Sequence, residues 1–424
     1  MSEWMEYKLG DVAEITSSKR IFYSEYVENG VPFYRSKEII DLFNRRDIQT
    51  ELYITEKRFK EIEEKFGVPN ADDILLTSVG SLGIPYKVKP KDRFYFKDGN
   101  LTWFRNLDKN KIKPDFLFTW LSSNVGRQKL DEVSIGSTQA ALTISGLKTI
   151  EILLPDLKTQ TAIASVLSSL DDKIDLLHRQ NTTLEKMAET LFRQWFVEFS
   201  ENKGEKTYNS ELGEIPISIR IDQIKNLSHI LESGKRPKGG VGSLTTGVPS
   251  IGAESIKGLG NFDYTKTKFV SEQFAGSMSK GFVNGYELLI YKDGGTPGHF
   301  IPRYSIFGAG FPFDKMVINE HVFKLDFGSK AYNFFMYYFF QTEITESILV
   351  ANGAKAAIPG INQEDIRSLW VITPDNSLIE SFGEITLPYL EKVLSNCKQI
   401  RTLTALRDTL LPKLMSGEVR VELN

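Results

Sequence analysis

Side chains that could perform catalysis are few in this sequence and far apart. No histidine has a second histidine or the cysteine three or four positions away. The sequence contains neither a GxxxxGK[S/T] phosphate loop nor the Asn/Asp-Pro-Pro-Tyr/Phe tetrapeptide of amino-methyltransferases. Pro155-Asp156 and Pro374-Asp375 each lead into a helical pattern, which predicts helix caps better than metal-binding carboxylates. We therefore predict a chain that has no catalytic activity and no cofactor of its own. The four histidines are His178, His229, His299 and His321.

Basic residues in loops are the better candidates for function. Lys19-Arg20 and Lys235-Arg236-Pro237-Lys238 precede strand patterns at equivalent points of two similar halves. Lysine and arginine neutralise phosphates, and the arginine fork also fits the guanine edge. These loops therefore predict contacts with nucleic acid. The full set of candidate DNA-binding residues is Lys19, Arg20, Arg35, Lys37, Lys87, Lys89, Arg93, Lys235, Arg236, Lys238 and Lys292.

The segment YKVKPKDRFYFK, residues 86–97, allows two interpretations. If it is one extended strand, its lysines, Arg93 and Tyr95 share a face, as in surfaces that bind a phosphate backbone. Lysines also guard solvated strand edges without binding any ligand. Both interpretations stay open at the level of sequence.

Composition limits the class of protein. The chain has 424 residues, enough for two or three domains, with 41% hydrophobic and 25% charged residues. Its net charge of −3 does not exclude nucleic-acid binding, since basic residues can gather on one face. The single cysteine, Cys397, excludes an internal disulfide. Because the first residues lack the pattern of a signal peptide, we expect a cytoplasmic protein.

The elements that must position these loops occur twice. GVPFYRSKEI (residues 30–39) returns as GVPSIGAESI (247–256), and STQAALTISGLKTIEILLPD (137–156) returns as GAKAAIPGINQEDIRSLWVITPD (353–375). The period, about 216 to 219 residues, indicates a duplicated half. Short strand-like runs predict a curved or barrel-like sheet in each copy, with helical segments packed on it. The fold class is therefore α/β (α+β), with two mixed domains and an internal repeat.

Each copy ends in a long helical pattern with apolar residues alternately three and four positions apart. This spacing predicts heptad seams, and Asn181 is a polar residue on the first seam that would fix its register. Pro388 is expected to start or kink the second helix, and Pro412 to disturb its end. The two seams can satisfy each other in either a parallel or an antiparallel pair. The predicted seam residues are Leu167, Leu170, Ile174, Leu177, Asn181, Leu184, Leu191, Val393, Ile400, Leu403 and Leu410.

The segment LKTIEILLPDLKTQTAIASVLSSLDDKIDLL, with LEKMAETLFRQWF after it, closely resembles the central region of specificity (S) subunits of type I restriction-modification systems. The closing LRDTLLPKLMSGEVRV resembles their C-terminal region. One departure is the first loop, Ser17-Ser18-Lys19-Arg20, which lacks the glycine that family members often have.

This resemblance implies target-recognition domains at residues 1–155 and 201–374, with long helices at 156–200 and 375–424 pairing as an antiparallel coiled coil. It also implies that each domain reads one half of a split target in double-stranded DNA. The implied partners are two methyltransferase (M) subunits, with restriction (R) subunits in the full complex. The helices would set the spacer and dock the M subunits. Because FKDGNLTWFR and FPFDKMVINEHVFKL differ between the halves, we expect an asymmetric target.

Two other classes of function are possible. A fused modification-specificity enzyme would need cofactor and catalytic motifs, which the sequence lacks. A DNA-independent assembly scaffold would not need basic loops at equivalent places in both halves.

Overall fold

The computed structural model describes residues 4–44, 48, 50–136, 140–242, 244–296, 299–354 and 359–422. Parts of the second repeated motif, residues 137–139 and 355–358, lie outside the described residues. The chain forms two compact units. Unit 1 is Met1–Asp175 with Leu403–Asn424, and unit 2 is Leu176–Thr402.

The N-terminal domain, in unit 1, divides its strands mainly between two open sheets. In the larger sheet the order is Glu14–Thr16, Leu101–Arg105, Ile74–Thr77, Pro85–Lys87, and neighbours are antiparallel. The smaller sheet has the order Tyr26–Val27, Tyr53–Ile54, Val31–Tyr34, Tyr95–Phe96, and its last pair is parallel. Met5–Lys8 pairs with Glu151–Leu154. The helices are Leu9–Val12, Ser36–Phe43, Glu56–Phe66, Pro114–Ser122, Asn124–Glu132 and Ile144–Thr149, with a 3-10 turn at Tyr23–Glu25.

The second domain, in unit 2, repeats this plan. Its larger sheet has the order Ile230–Ser233, Val322–Asp326, Leu288–Tyr291, Arg303–Ile306, Gly258–Leu259. Its smaller sheet has the order Lys268–Val270, Val248–Ile251, Val317–Ile318, and its last pair is again parallel. Ile221–Gln223 pairs with Trp370–Ile372, and two hairpins pair Thr207–Ser210 with Gly213–Pro216 and Gly295–Thr296 with His299–Phe300. The helices are Glu272–Gly276, Lys330–Phe339, Glu343–Gly353 and Gln363–Arg367, with 3-10 turns at Ser200–Asn202, Ile224–Asn226, Ala253–Ser255 and Tyr264–Lys266.

The predicted duplication is therefore visible in the topology. Four consecutive strands of the larger sheet follow the same order in both domains, and a parallel pair closes one edge of each smaller sheet. The central strand Ile74–Thr77 is buried at all four of its residues. The aromatic segment 332–340 covers most of helix Lys330–Phe339 and the residue after it, and Phe335 and Phe340 are fully buried.

Two long helices accompany the domains. The central helix, Leu157–Phe196, begins after Asp156, whose Oδ1 accepts the backbone N–H groups of Lys158 and Thr159 at 2.9 and 3.0 Å. This is the cap that the sequence predicts. The C-terminal helix, Asn376–Met415, begins directly after Asp375. Consecutive residues Asp175 and Leu176 of the central helix belong to different units.

The two helices run antiparallel within each unit. In unit 1, Arg407 Nη1 donates to Asp171 Oδ1 at 2.9 Å, and Leu167, earlier in the central helix, packs in one core with Leu414, later in the C-terminal helix. In unit 2, Asn181 contacts Asn396, and Trp195 packs against Phe382 with ring centroids 6.4 Å apart. Residue numbers rise along one helix as they fall along the other. This antiparallel order selects one of the two orientations that the seams alone allow.

The predicted seam residues are buried to different extents. Leu167, Ile174, Leu177, Asn181 and Val393 are buried. The other predicted seam residues are half-buried, and they are Leu170, Leu184, Leu191, Ile400, Leu403 and Leu410.

The expectation that Pro388 starts the second helix is wrong. The helix begins 12 residues earlier, at Asn376, and includes both Pro388 and Pro412. A proline inside a helix costs about 3 kcal/mol or more. Phe382, Leu390 and Val393 flank Pro388 and are almost completely buried, and each contributes about 1.5–3 kcal/mol by that burial. Packing on both sides of the proline therefore outweighs its local cost.

Candidate nucleic-acid interface

The basic loop of the first domain, residues 17–20, is fixed through its backbone. The Lys19 backbone N–H donates to the Tyr95 hydroxyl at 2.6 Å, and Tyr95 is fully buried. Arg20 Nε donates to Asp98 Oδ2 at 2.9 Å, yet the Arg20 side chain keeps 67% of its surface exposed. An exposed ion pair of this kind contributes only about 0–1 kcal/mol, so a phosphate can replace the carboxylate at little cost.

The basic loop of the second domain, residues 233–238, lies against strand Val317–Ile318. A Cβ built on Gly234 would lie 1.8 Å from the Ile318 carbonyl oxygen, so only glycine fits at that position. Arg236 Nη1 donates to Glu320 Oε1 at 3.2 Å and stays 53% exposed. Lys235 and Lys238 are exposed.

The two loops are equivalent in three dimensions. Asp98 and Glu320 each lie two residues beyond the parallel edge strand of the smaller sheet in their own domain. Arg20 and Arg236 each bind that acidic residue. The missing glycine of the first loop therefore does not change its place in the fold, and the two arginines occupy matching positions.

Arg35 and Lys37 follow strand Val31–Tyr34, which pairs with the strand that contains Tyr95. Arg35 Nη2 donates to Glu38 Oε1 at 2.9 Å, and the Glu38 side chain is only 1% exposed. Burial raises the pKa of the Tyr26 hydroxyl, Asp98 raises it further and Arg35 lowers it. Lys37 is exposed. Arg35 therefore also has a structural role, because it compensates the buried Glu38 carboxylate.

The interpretation of residues 86–97 as one basic strand is wrong. Strand Pro85–Lys87 ends before a turn at residues 90–91, and Tyr95–Phe96 belongs to the other sheet. Tyr95 is fully buried and cannot share an exposed face with the lysines. Pro90 lies in this turn, but the regular spacing of the basic residues suggested a continuous strand, because such spacing does not show which strand pairs with which.

Side chains of that segment are consequently dispersed. Lys87 Nζ forms an ion pair with Asp115 and lies 3.6 Å from Asp72. Arg93 Nη2 donates to Glu56 Oε2 at 2.6 Å, and Lys89 is exposed near the turn. The structure does not bring these three basic groups onto one surface with Tyr95.

Lys292 joins the second loop through a chain of charges. Its Nζ lies 3.6 Å from Asp293 Oδ2, and the same carboxylate oxygen is 2.7 Å from His321 Nδ1. His321 Nε2 lies 3.3 Å from Glu320 Oε1, the oxygen that binds Arg236. Sequence reasoning missed Asp293, Glu320 and His321, because only the folded sheet brings residues 236, 292 and 321 together.

A concave surface opens beside this chain of charges. It encloses about 630 Å³ and includes Arg236, Lys268, Tyr291, Asn319 and His321 among its lining residues. Guanidinium, amide and imidazole groups are the donors and acceptors that read base edges in DNA. The second domain therefore has a polar concavity directly beside its basic loop.

Two exposed aromatic residues of the first domain were also missed. Phe22 is 62% exposed and Tyr23 is 90% exposed, and only Ile21 separates them from Lys19-Arg20. The signal was present in the sequence as KRIFY, where aromatic residues follow basic ones.

Across the described residues, no group of three or more His, Cys, Asp and Glu side chains is arranged to hold a metal ion. The same residues include no helix that is both long and apolar enough to cross a membrane.

Comparison with known proteins identifies the relatives of this chain. A family model described as the type I restriction modification DNA specificity domain matches residues 1–186. A Methanocaldococcus jannaschii protein, the type I restriction enzyme MjaIX specificity subunit, is 28% identical over 99% of this chain and 94% of its own length. The chain is similar to a type I specificity subunit over nearly its whole length.

Other type I specificity subunits extend this result. The HindI specificity subunit of Haemophilus influenzae is 23% identical and is covered over its entire length, with 99% of this chain matched. The crystal structure of a type I S subunit from M. genitalium has the same fold, with a TM-score of 0.61 and 16% identity over 100% of this chain and 97% of that one. These matches confirm the resemblance found in the sequence.

Proposed function

We propose that this chain is the non-catalytic DNA-recognition subunit of a type I restriction-modification complex that acts in the cytoplasm. The observation that carries the proposal is the matching placement of Arg20 and Arg236, each exposed beside the same edge strand of its domain. Repeated exposed arginines on a repeated scaffold fit two similar contacts with a repeating phosphate backbone. A protein that only assembled other subunits would not need them.

In this proposal the recognition domains, residues 1–155 and 201–374, each read one half of a bipartite target. The surroundings of the two basic loops differ, which supports an asymmetric target. Phe22 and Tyr23 lie beside the first loop, whereas Asp293 and His321 lie beside the second. Different groups present different donors and acceptors to base edges, and so they select different bases.

The long helices are proposed to set the spacer between the half-sites and to bind two M subunits, with R subunits joining the full complex. A groove of about 470 Å³ on the helix pair of unit 2 supports the docking role. Met187 and Ile385, which line it, are 47% and 41% exposed, and Lys186 and Gln194 add polar groups. Exposed apolar residues bordered by polar ones are typical of a protein interface.

The test is DNA binding by M subunits with and without this chain. The assembled complex should bind one bipartite sequence more tightly than other DNA, and its affinity should fall with salt. Each phosphate contact should contribute about 0.9 to the slope of log affinity against log salt. Methyl transfer from labelled S-adenosylmethionine should follow the same sequence preference. If adding the chain leaves DNA affinity and sequence preference of the M subunits unchanged, the proposal is wrong.

A further inference from the structure

Phe22 and Tyr23 present two adjacent aromatic rings to solvent beside the first basic loop. Tyr23 is 90% exposed and Phe22 is 62% exposed. Single exposed apolar residues are common on protein surfaces, but neighbouring large rings more often mark a binding site.

The short turn that carries the rings is held in place. Phe22 donates its backbone N–H to Glu25 Oε2 at 2.7 Å, and Glu25 Oε1 lies 2.7 Å from Arg58 Nε. Ile21, immediately before the rings, is buried in the domain core. Tyr26 packs edge-on against Tyr23 with ring centroids 6.2 Å apart. The rings are thus presented by an anchored backbone, which lowers the entropy lost on binding.

Charge around the rings favours a polyanion. Glu25 and Asp98, two acidic groups that adjoin this turn, are already paired with Arg58 and Arg20. Lys19 precedes the rings in the same loop, and its Nζ lies 5.3 Å from the centroid of the Phe66 ring. Basic groups beside exposed rings are the combination that binds phosphates and stacks on bases.

The second domain does not repeat this feature. After Arg236 its loop continues as Pro-Lys-Gly-Gly-Val-Gly, residues 237–242, without an aromatic residue. Aromatic contacts of this kind therefore belong to one half-site only.

We propose that Phe22 and Tyr23 stack on bases of duplex DNA at the first half-site and act as a wedge at a partly opened base step. The inference rests on the proposed DNA-recognition function and adds a specificity determinant to it. Apolar side chains inserted at a base step unstack it, and steps that open easily then bind better than stiff ones. The first domain would thereby select its sequence partly through deformability.

The experiment uses the complex assembled with M subunits and compares the variants Tyr23→Ala and Phe22→Ala with two controls. Tyr23→Phe keeps the ring, and Leu153→Ala removes another exposed apolar side chain of unit 1, which is 49% exposed. Each alanine variant of the wedge should bind the target roughly 5- to 150-fold more weakly, as for loss of one base–aromatic stack. Both controls should stay within about twofold of the parent complex.

Two further measurements identify the contact. The salt slope should not change in Tyr23→Ala, whereas loss of a phosphate contact would lower it by about 0.9. A series of target duplexes, each with one mismatched base pair at a different position, locates the opened step. The parent complex should bind more tightly to the duplex with the mismatch at that step of the first half-site, because a mismatched pair is already weakened. The Tyr23→Ala complex should not show this increase in affinity. Mismatches in the second half-site should not increase the affinity of either complex.

Parent-like affinity of both alanine variants would overturn the inference, as would a lowered salt slope. Loss of assembly with M subunits in Tyr23→Ala would also overturn it and would assign the rings to a protein contact. If the parent complex shows no sequence preference on DNA, the proposed function fails first and the wedge fails with it.

Discussion

Asn181 and Asn396 form a buried polar contact between the two long helices, and its removal has a calculable cost. Asn396 is completely buried and Asn181 is 7% exposed. Asn396 Nδ2 donates to Asn181 Oδ1 at 2.7 Å and to Gln180 Oε1 at 2.9 Å. Asn181 Nδ2 donates to Cys397 Sγ at 3.6 Å. Asn396 Oδ1, by contrast, is buried without a hydrogen-bond partner.

Asn396→Ala should lower the free energy of unfolding by about 2–4 kcal/mol. It leaves the Asn181 carbonyl oxygen without its donor, at about 1–3 kcal/mol, and the lost side-chain volume adds about 1 kcal/mol. Asn181→Ala should lower the free energy of unfolding by about 1–3 kcal/mol, because Asn396 Nδ2 loses one of its two acceptors. In the double alanine variant both amide side chains are absent, so neither is left without its partner. Its loss of stability should therefore be smaller than the sum of the two single losses by about 1–3 kcal/mol.

Replacing both residues by leucine should behave differently. Apolar residues suit seam positions, and the unpaired Asn396 Oδ1 disappears, so Asn181→Leu with Asn396→Leu should be at least as stable as the parent. The polar pair then serves register and not stability.

Urea unfolding followed by far-UV circular dichroism, on the parent and all variants, measures these differences. A coupling below about 0.5 kcal/mol would refute the contribution assigned to the pair. So would a double leucine variant less stable than the double alanine variant.

Three further outcomes are expected. Arg236→Ala in the assembled complex should lower affinity for all DNA, with a salt slope smaller by about one, if Arg236 contacts a phosphate. If Arg236 contacts a base, the variant should instead lose about 1–3 kcal/mol of discrimination at one base position. Binding measurements that show neither change would remove Arg236 from the interface. Inserting one heptad after Leu177 and another after Asn396 should lengthen the helices by about 10 Å and the preferred spacer by about three base pairs. Methylation mapping measures the spacer, and an unchanged spacer would show that the helices do not set it. Burial, and to a lesser extent Glu189, raises the pKa of Glu185 to about 7, so its ionisation should remove stability as pH rises from about 4.5 to 7. Glu185→Gln should therefore unfold at higher urea than the parent at pH 8 but not at pH 4, with exposed Glu384→Gln as the control, and equal midpoints at pH 8 would contradict this.

Regular periodicity made much of the scaffold predictable. Leu167, Ile174 and Leu177 are buried because a seam spaced three and four apart keeps one face toward the partner helix. The duplicated motifs predicted two similar halves, and four strands of the larger sheets follow the same order in both. The direction of the helix pair did not follow from spacing, because a heptad seam is compatible with both orientations.

Features that depend on tertiary contacts were not predictable in the same way. Periodicity missed Phe192 and Phe196, which lie beside the seam and are buried against Phe335 of the second domain. Pro388 was misjudged because local propensity does not include the burial of its neighbours.

The candidate interface shows the same division. Arg20 and Arg236 were found because their loops repeat in the sequence, whereas their acidic partners lie about 80 residues further along the chain. The sequence alone does not show which distant strand ends next to each basic loop. His321 and Asp293, only 2.7 Å apart in space, gave no signal for that reason.

Exchange of residues 1–150 for the matching domain of another type I specificity subunit tests the central claim most directly. Methylation mapping of cells that express the chimera with its M subunits gives the modified sequence in full. Division of the target between two recognition domains predicts a new first half-site, with the second half-site unchanged. A chimera that changes both half-sites together, or neither of them, would contradict that division.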